Sequence, residues 1–409
     1  MDSQWNEIPA DVRDMRRRTL FSVFSPSAPV DRREVFAGRL EQLATLREVV
    51  FQRGQHAVIY GERGVGKTSL ARVSRDVATA EQMFTAHVTC DGGDSYASMW
   101  TKVLSEIHFT IEGTEGGEEG SSTALAYASE MSGAIDSNTL RMVFTALGRV
   151  APTVVFIDEF DVITSAEVRQ RTAETIKMLS DQGVNVTVVL VGVAEDVTGL
   201  ISAHESINRN IVQVPMPRMI VSERLDIIRT GLSTAEMSID DSAAQRIALL
   251  SQGLPHFVHS LAQKAALAAL NAGRDRVEDG DVSVAISQAL DASLVTVSSA
   301  YYHAVTSNRE TTLYPSVLLA CALATPDDRG FFTAKALVAP LTTILGREVG
   351  IPAFGPHLNK LANERGPVLI KEGEPRRYRY RFRNPLLQPY VLMRGISDGL
   401  ISFSAIEGP

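Results

Sequence analysis

Hydrophobic and polar positions between residues 40 and 214 alternate between short apolar runs and longer amphipathic stretches. The apolar runs predict buried strands at 56–60, 84–90, 153–158, 186–193 and 211–214. The amphipathic stretches predict helices at 40–53, 67–78, 96–107 and 166–180. Strands that alternate with helices predict an α/β fold with a mostly parallel sheet and helices on both faces.

The pattern changes after Pro217. Helical periodicity dominates from 221 to 293, which predicts a small all-helical domain. A block at 310–395 predicts three helical stretches and then two short strands around a turn. Within the first part, residues 111–122 contain four Glu and four Gly, so we expect an exposed acidic loop there.

Residues 61–68 form a complete G-x-x-x-x-G-K-T phosphate-binding loop between a predicted strand and a predicted helix. The glycines let backbone N–H groups face phosphate oxygens, and the helix adds its positive N-terminal end. Lys67 is expected to contact the β- and γ-phosphates, and the Thr68 hydroxyl to bind Mg²⁺. The predicted nucleotide contacts of the loop are Gly61, Glu62, Arg63, Gly64, Val65, Gly66, Lys67, Thr68 and Ser69.

The apolar strand at 153–158 ends in two carboxylates, Asp158 and Glu159. Next to a phosphate-binding loop, this pattern predicts that Asp158 holds Mg²⁺ through water. Glu159 is predicted to polarise the attacking water as a general base. The sequence therefore predicts ATP and Mg²⁺ as cofactors.

The order of the segment Phe36-Ala37-Gly38-Arg39, the phosphate-binding loop and the Asp-Glu strand resembles AAA+ ATPases. The resemblance is greatest to origin-recognition initiator ATPases and to STAND-type switch ATPases. It covers about residues 35–292 and, more weakly, the C-terminal block. It implies that Phe36 and Arg39 flank the adenine base.

The resemblance also implies catalytic arginines and sensors. Arg209 resembles the arginine finger that reaches the γ-phosphate of a neighbouring subunit, with Arg218 as a competing candidate. His256 stands where the family carries a second sensor arginine, and the strand at 186–193 ends without the usual polar first sensor. Histidine is shorter than arginine and mostly neutral at pH 7, so we expect slow hydrolysis.

In the C-terminal block, a helix at 356–365 followed by two strands resembles a winged helix. Residues 376–383 alternate strictly, which places Tyr378, Tyr380 and Phe382 on one face and arginines on the other. If this domain binds DNA, the expected contacts are His357, Lys360, Arg365, Arg377, Arg379, Arg381 and Arg383.

The charge distribution supports a local anionic partner. The chain has a net charge of −8, but residues 311–395 hold twelve Lys or Arg against six Asp or Glu. The alternative is a solvated wing, or one that pairs with acidic surface such as 112–119. STAND-type switches use a winged helix only for internal packing.

The predicted domains are an N-terminal arm (1–34), a P-loop core (35–216), a helical lid (217–292), a winged helix (293–395) and a tail (396–409). Two cysteines are too few for a disulfide framework, which indicates a cytoplasmic protein. The sequence contains no apolar run of about 18 residues, so we expect no membrane contact.

Two functional hypotheses follow. The first is an oligomeric, slowly hydrolysing ATPase switch that regulates or binds double-stranded DNA. The second is a STAND-type signalling ATPase, for example in a defence or stress system, that acts through a protein partner without DNA contact. A protein-remodelling ATPase is a weaker third reading, because no aromatic pore motif is visible in the sequence.

Overall fold

The computed structural model describes residues 8–26, 39–111, 120–131, 134–194, 209–307, 312–327, 329–375 and 377–407. Phe36, the acidic segment 112–119 and residues 205–208 lie outside the described residues. The chain divides into two units. The sheet unit contains Pro29–Glu62 and Gly66–Pro217, and the helical unit contains Met1–Ala28, Arg63–Val65 and Arg218–Pro409.

Helices and strands cover most of both units. The helices are α1 (Ala10–Val23), α2 (Leu40–Phe51), α3 (Lys67–Ala80), α4 (Tyr96–Glu106), α5 (Ala124–Met131), α6 (Ser137–Leu147), α7 (Ala166–Asp181), α8 (Val221–Thr234), α9 (Asp241–Leu250), α10 (Pro255–Asn271), α11 (Asp279–Asp291), α12 (Val295–Val305), α13 (Tyr314–Leu323), α14 (Val338–Leu345), α15 (Ile351–Asn363), α16 (Leu387–Ser397) and α17 (Ser404–Glu407). The strands are β1 (His56–Gly61), β2 (Phe84–Thr89), β3 (His108–Ile111), β4 (Gly120–Thr123), β5 (Thr153–Asp158), β6 (Val186–Val193), β7 (Ile211–Pro215), β8 (Ser238–Ile239), β9 (Arg276–Val277), β10 (Phe332–Thr333), β11 (Leu369–Glu372) and β12 (Arg379–Phe382).

The sheet unit is built on a five-stranded sheet in the order β2-β5-β6-β1-β7, and all neighbouring pairs are parallel. The five predicted strands and the predicted parallel sheet are confirmed. All six residues of β5 are buried, which fits a strand covered on both faces. Because the strands are parallel, their carboxyl ends lie at one edge of the sheet, where β6 separates β1 from β5.

The sequence pattern missed part of this unit. Residues at both ends of the predicted acidic loop pair as the antiparallel strands β3 and β4, with Ile111 opposite Gly120. Helices α5 and α6 follow. The two strands have four residues each, and β4 is polar, so neither produces an apolar run.

In the helical unit, the predicted helical stretch after Pro217 is confirmed by α8, α9, α10 and α11. Towards the C-terminus, the elements follow in the order α13, β10, α14, α15, β11 and β12, and the three strands form a sheet in the order β10-β12-β11. This order is consistent with the predicted winged helix. Tyr380 and Phe382 of β12 are buried and Arg379 and Arg381 are half-buried, which confirms the predicted alternation. The third strand, β10, was not predicted, because it has only two residues.

The N-terminal segment contains a helix, α1, which the polar sequence did not predict. Leu20, Val23 and Phe24 are buried. The Phe24 ring lies edge-on to His259 of α10, with ring centroids 5.8 Å apart. A Cβ atom at Gly231 of α8 would overlap the Phe24 ring, so only glycine allows this close packing.

Polar contacts also hold α1 against the same unit. Arg17 donates to the side chain of Asn271 at 2.7 Å, and the Gln263 side chain donates to the Phe24 carbonyl oxygen at 2.7 Å. Arg16 lies 3.7 Å from Asp275 and 3.9 Å from Glu236, pairs that are partly solvated and contribute little individually. Buried aromatic packing therefore contributes more to docking than these ion pairs do.

Among the described residues, no single helix has the length and apolar composition needed to cross a membrane, and the one pair that meets both together, α11 with α12, is bent by 89°.

We expect Phe24→Ala to release α1, because removal of a fully buried phenyl ring costs about 3–5 kcal/mol. The measurement is backbone hydrogen exchange along α1 in the full chain. Protection should fall by about 10²- to 10⁴-fold. Phe21→Ala is the matched control, because Phe21 is on the same helix but 56% exposed. Equal protection in the two variants would contradict the docking of α1 through Phe24.

Candidate nucleotide-binding site

The phosphate-binding loop lies between β1, which ends at Gly61, and α3, which begins at Lys67. Gly66 precedes the helix with a left-handed backbone, φ 96°, which favours glycine. Gly61 is required for another reason, since a Cβ atom there would overlap the carbonyl oxygen of Met216. The loop is thus placed at a strand end and a helix N-terminus, where backbone N–H groups favour an anion.

Lys67 is nearly buried, with 8% of its surface exposed. Its ammonium donates hydrogen bonds to the carbonyl oxygens of Gly61 at 3.1 Å and Glu62 at 2.9 Å. These contacts hold the positive charge within the curl of the loop. The other predicted loop contacts differ in exposure. Val65 is buried, Arg63 is exposed, and Glu62, Gly64, Thr68 and Ser69 are half-buried.

Asp158 lies at the carboxyl end of β5 with a buried side chain. Its Oδ1 atom accepts a hydrogen bond from the backbone N–H of Glu159 at 2.8 Å. The Thr68 hydroxyl also donates to this carboxylate, so the structure brings together the two predicted Mg²⁺ ligands. His87 of β2 is a further neighbour, with Nε2 3.5 Å from Oδ2.

These contacts decide the protonation state of Asp158. Burial acts to raise the pKa of this carboxyl group, but the hydrogen bonds from His87, Thr68 and the Glu159 backbone outweigh burial and lower the pKa. The group is therefore ionised at neutral pH. A buried, ionised carboxylate beside a threonine hydroxyl is suited to a hard divalent cation.

Glu159 follows directly and has an exposed side chain. Its backbone is left-handed, with φ 54°, which is uncommon for a residue other than glycine. This conformation separates the two carboxylates, because Asp158 remains buried while Glu159 faces solvent. Strained backbone of this kind is concentrated at functional sites.

Asp161 was not predicted from the sequence. Its Oδ1 atom accepts a hydrogen bond from the backbone N–H of Val193 at 2.8 Å. Val193 is the last residue of β6, at the position where a polar first sensor was missing. Asp161 therefore fixes the end of β6 beside the end of β5. No motif in the sequence indicated this contact.

Arg39 and Phe36 were predicted to flank the adenine. Phe36 lies outside the described residues. Arg39 has a left-handed backbone at the N-terminus of α2 and is 3% exposed. Its guanidinium donates to the carbonyl oxygen of Pro217, which fixes the start of α2 to the segment after β7. Its contact with adenine remains a prediction.

Arg209, Arg218 and His256 are the remaining residues that the family resemblance implied, and each lies in a different environment. Arg209 is exposed just before β7, which leaves its predicted role as a finger toward a neighbouring subunit untested. Arg218, the competing candidate, donates to Gln388 at 2.7 Å and to the Gln252 carbonyl oxygen at 3.3 Å. Within the helical unit, the His256 Nδ1 atom lies 2.6 Å from the Pro26 carbonyl oxygen. This use of His256 was not predicted, and its role as a sensor remains a prediction.

Several predicted DNA contacts have partners within the C-terminal part of the helical unit. Arg379 pairs with Asp327 at 3.1 Å, and the guanidinium groups of Arg379 and Arg381 lie 5.0 Å and 4.6 Å from the Phe331 ring centroid. Arg383 donates to the Pro367 carbonyl oxygen at 2.8 Å. These contacts orient the arginines but leave Arg379 about 40% exposed.

Two of the residues predicted to contact DNA from the helix at 356–365 also have partners within the helical unit. The guanidinium group of Arg365 stacks 3.9 Å from the Tyr314 ring centroid and donates to the Thr306 carbonyl oxygen. His357 packs on the same ring at 4.8 Å, and its pKa is lowered, first by burial. A neutral His357 adds no charge at pH 7. Lys360 and Arg377 are exposed.

Residues 50–200 match the profile of a family described as AAA domain. The match contains both the phosphate-binding loop and the Asp-Glu strand. It supports a nucleotide-binding ATPase of the AAA type. A comparison with curated protein sequences gives no match.

Solved structures with a similar fold include the Aeropyrum pernix ORC2 protein in ADPNP and ADP complexes, at 16% identity over 92% of this chain and 97% of that chain, with a TM-score of 0.48. The A. pernix ORC1 protein in complex with DNA has 14% identity over 94% and 98% of the two chains and a TM-score of 0.46. The Thermotoga maritima RuvB Holliday junction branch migration motor has 17% identity over 85% and 94%, with a TM-score of 0.43. At these identities and TM-scores, the similarities carry no argument about function.

We expect Lys67→Ala in the phosphate-binding loop to weaken ATP binding by about 10- to 100-fold or more, since a charge-assisted hydrogen bond is worth about 1.5–3 kcal/mol. The measurement is titration of the purified chain with a fluorescent ATP analogue. Lys177→Ala, on α7 of the same unit, is the control and should bind normally. Unchanged affinity in Lys67→Ala would contradict the assignment of the phosphate-binding loop.

Proposed function

We propose that this protein is a slowly hydrolysing, Mg²⁺-dependent ATPase switch that forms oligomers and binds double-stranded DNA through its winged helix. The observation that carries the ATPase part is the arrangement of Lys67, Thr68 and Asp158. A nearly buried ammonium lies inside a glycine-rich loop, and a threonine hydroxyl donates to a buried, ionised carboxylate. These groups are suited to bind a nucleoside triphosphate with its cation.

The donor set fits Mg²⁺. Among the described residues, no group of three or more His, Cys, Asp or Glu side chains could hold a metal ion on its own. Mg²⁺ in nucleotide sites needs only one or two protein ligands, because phosphate oxygens and water complete its octahedron. Thr68 would supply a direct ligand, and Asp158 would hold the ion through water. When bound, Mg²⁺ neutralises charge on the phosphates.

Within this proposal, each residue has a separate task. Lys67 exchanges its bonds to the loop carbonyl oxygens for bonds to the β- and γ-phosphates. Glu159, which faces solvent, orients the attacking water and accepts its proton. Arg209 of a neighbouring copy stabilises charge on the γ-phosphate. The apolar end of β6 at Val193 adds no side-chain donor, which supports slow turnover.

Exposed positive charge supports DNA binding. Lys360, Arg377 and Arg383 are exposed, and Arg379 and Arg381 project from the same face of β12. Alternate residues of a strand are about 7 Å apart, close to the phosphate spacing along one DNA strand. Nucleotide state would then set the position of the winged helix.

One observation favours the second candidate, a STAND-type signalling ATPase that acts through a protein partner. Arg379, Arg383 and Arg365 all bond to groups of their own unit, namely Asp327 and the carbonyl oxygens of Pro367 and Thr306. Bonds to groups of the same unit are expected when a winged helix serves only for internal packing. The two candidates differ in whether the remaining exposed charge contacts DNA.

Glu159→Gln is expected to retain ATP binding and to lose turnover, because loss of a general base reduces the rate by about 10²- to 10⁴-fold. Release of phosphate is measured beside equilibrium ATP affinity. Glu167→Gln, an exposed carboxylate on α7, controls for the change of charge. Wild-type turnover in Glu159→Gln would exclude Glu159 as the base.

DNA binding is tested with the double variant Arg377→Ala and Arg383→Ala. Removal of two phosphate contacts should reduce the slope of log affinity against log salt by about 2. The matched control is Lys335→Ala with Arg347→Ala, which removes two exposed charges elsewhere in the same domain. Equal slopes for the two double variants, or no binding by the wild-type protein, would favour the signalling candidate.

A further inference from the structure

Asp158 is held from several directions within the sheet unit. The backbone N–H of Glu159 donates to Oδ1 at 2.8 Å, and the Thr68 hydroxyl is a second donor. The Oδ2 atom lies 3.5 Å from His87 Nε2.

His87 lies on β2, the strand that pairs with β5. Register places His87 opposite Phe156, two residues before Asp158. The two rings pack with centroids 5.9 Å apart and an interplanar angle of 41°. The side chain of His87 is 6% exposed and that of Asp158 is 4% exposed, so the pair is shielded from solvent. Packing in a buried sheet therefore fixes the direction in which the imidazole points.

We infer that His87 is a positioning residue for the cation site, whose Nε2–H group orients the Asp158 carboxylate toward the cation beside Thr68. The inference rests on the proposed Mg²⁺–ATP function. His87 is not assigned any contact with nucleotide, water or metal. It acts through Asp158 alone.

The physical reason is that an aspartate carboxylate rotates easily about the χ2 bond. The χ2 angle of an aspartate has a broad, roughly two-fold distribution, so one hydrogen bond leaves the carboxylate plane poorly defined. Donors on both oxygens fix that plane. Mg²⁺ demands near-ideal octahedral geometry, so a misplaced carboxylate weakens binding even when its charge is unchanged. Loss of a group that orients a metal ligand typically lowers metal affinity by about 10- to 100-fold.

The test is Mn²⁺ affinity, measured by electron paramagnetic resonance on the full chain saturated with a non-hydrolysable ATP analogue. His87→Leu fills the space without a donor and should weaken Mn²⁺ binding by about 10- to 100-fold. His87→Gln places an amide nitrogen near the position of Nε2 and should restore most of the affinity. Nucleotide affinity in EDTA should be the same in all variants, because His87 does not contact the nucleotide.

Thr85→Val is the matched control. Thr85 lies on the same face of β2, two residues earlier, and its hydroxyl bonds to Thr79 at 3.0 Å. It should bind Mn²⁺ like the wild type. Wild-type affinity in His87→Leu, or equal loss in His87→Leu and His87→Gln, would overturn the positioning role. Absence of Mn²⁺ binding by the wild-type complex would contradict the proposed function itself and remove this inference with it.

Discussion

The nucleotide site depends on one buried charge, the carboxylate of Asp158 at the end of β5. An ionised carboxylate is costly to bury unless hydrogen-bond donors surround it. The fold supplies donors from three elements, namely the Glu159 backbone, Thr68 of α3 and His87 of β2. The parallel sheet makes this possible, because it places the ends of its strands and the start of α3 at one edge.

The same constraint explains the conformation of the neighbouring residues. Since Asp158 must stay buried, the backbone turns at Glu159 into a left-handed conformation, and the next carboxylate faces solvent. Asp161 then returns to the end of β6 through its bond to the Val193 backbone. Asp158 and Glu159 are adjacent in sequence but thereby acquire different environments and different chemical roles.

In the helical unit, the main constraint is the docking of α1. Helix α1 is held by the buried Phe24 ring and by bonds that join Gln263 to Phe24 and His256 to Pro26. A second polar network links Arg218, Gln252 and Gln388, of which Gln388 is buried. Buried polar networks of this kind fix a unique packing arrangement when every member is satisfied. Arg379 and Arg383 also bond within this unit, to Asp327 and to the Pro367 carbonyl oxygen, but at more exposed positions.

Much of the sheet unit could be predicted from the sequence, because long apolar runs and the phosphate-binding loop are strong local signals. The five strands, their parallel direction and, in the helical unit, the alternation of β12 followed from the pattern of side chains along the chain. Contacts between distant residues could not be predicted. The approach of His87 to Asp158 depends on strand register, and the docking of α1 depends on a glycine that no local pattern marks. Short strands such as β10 lack the length for any periodic signal.

The nucleotide site uses both the loop and the Asp158 carboxylate in the function proposed above. The most direct measurement is calorimetric titration of the wild-type chain with ATP, in Mg²⁺ and separately in EDTA. We expect one ATP bound per chain, with higher affinity when Mg²⁺ is present. No saturable ATP binding, or an affinity that is the same with and without Mg²⁺, would contradict it.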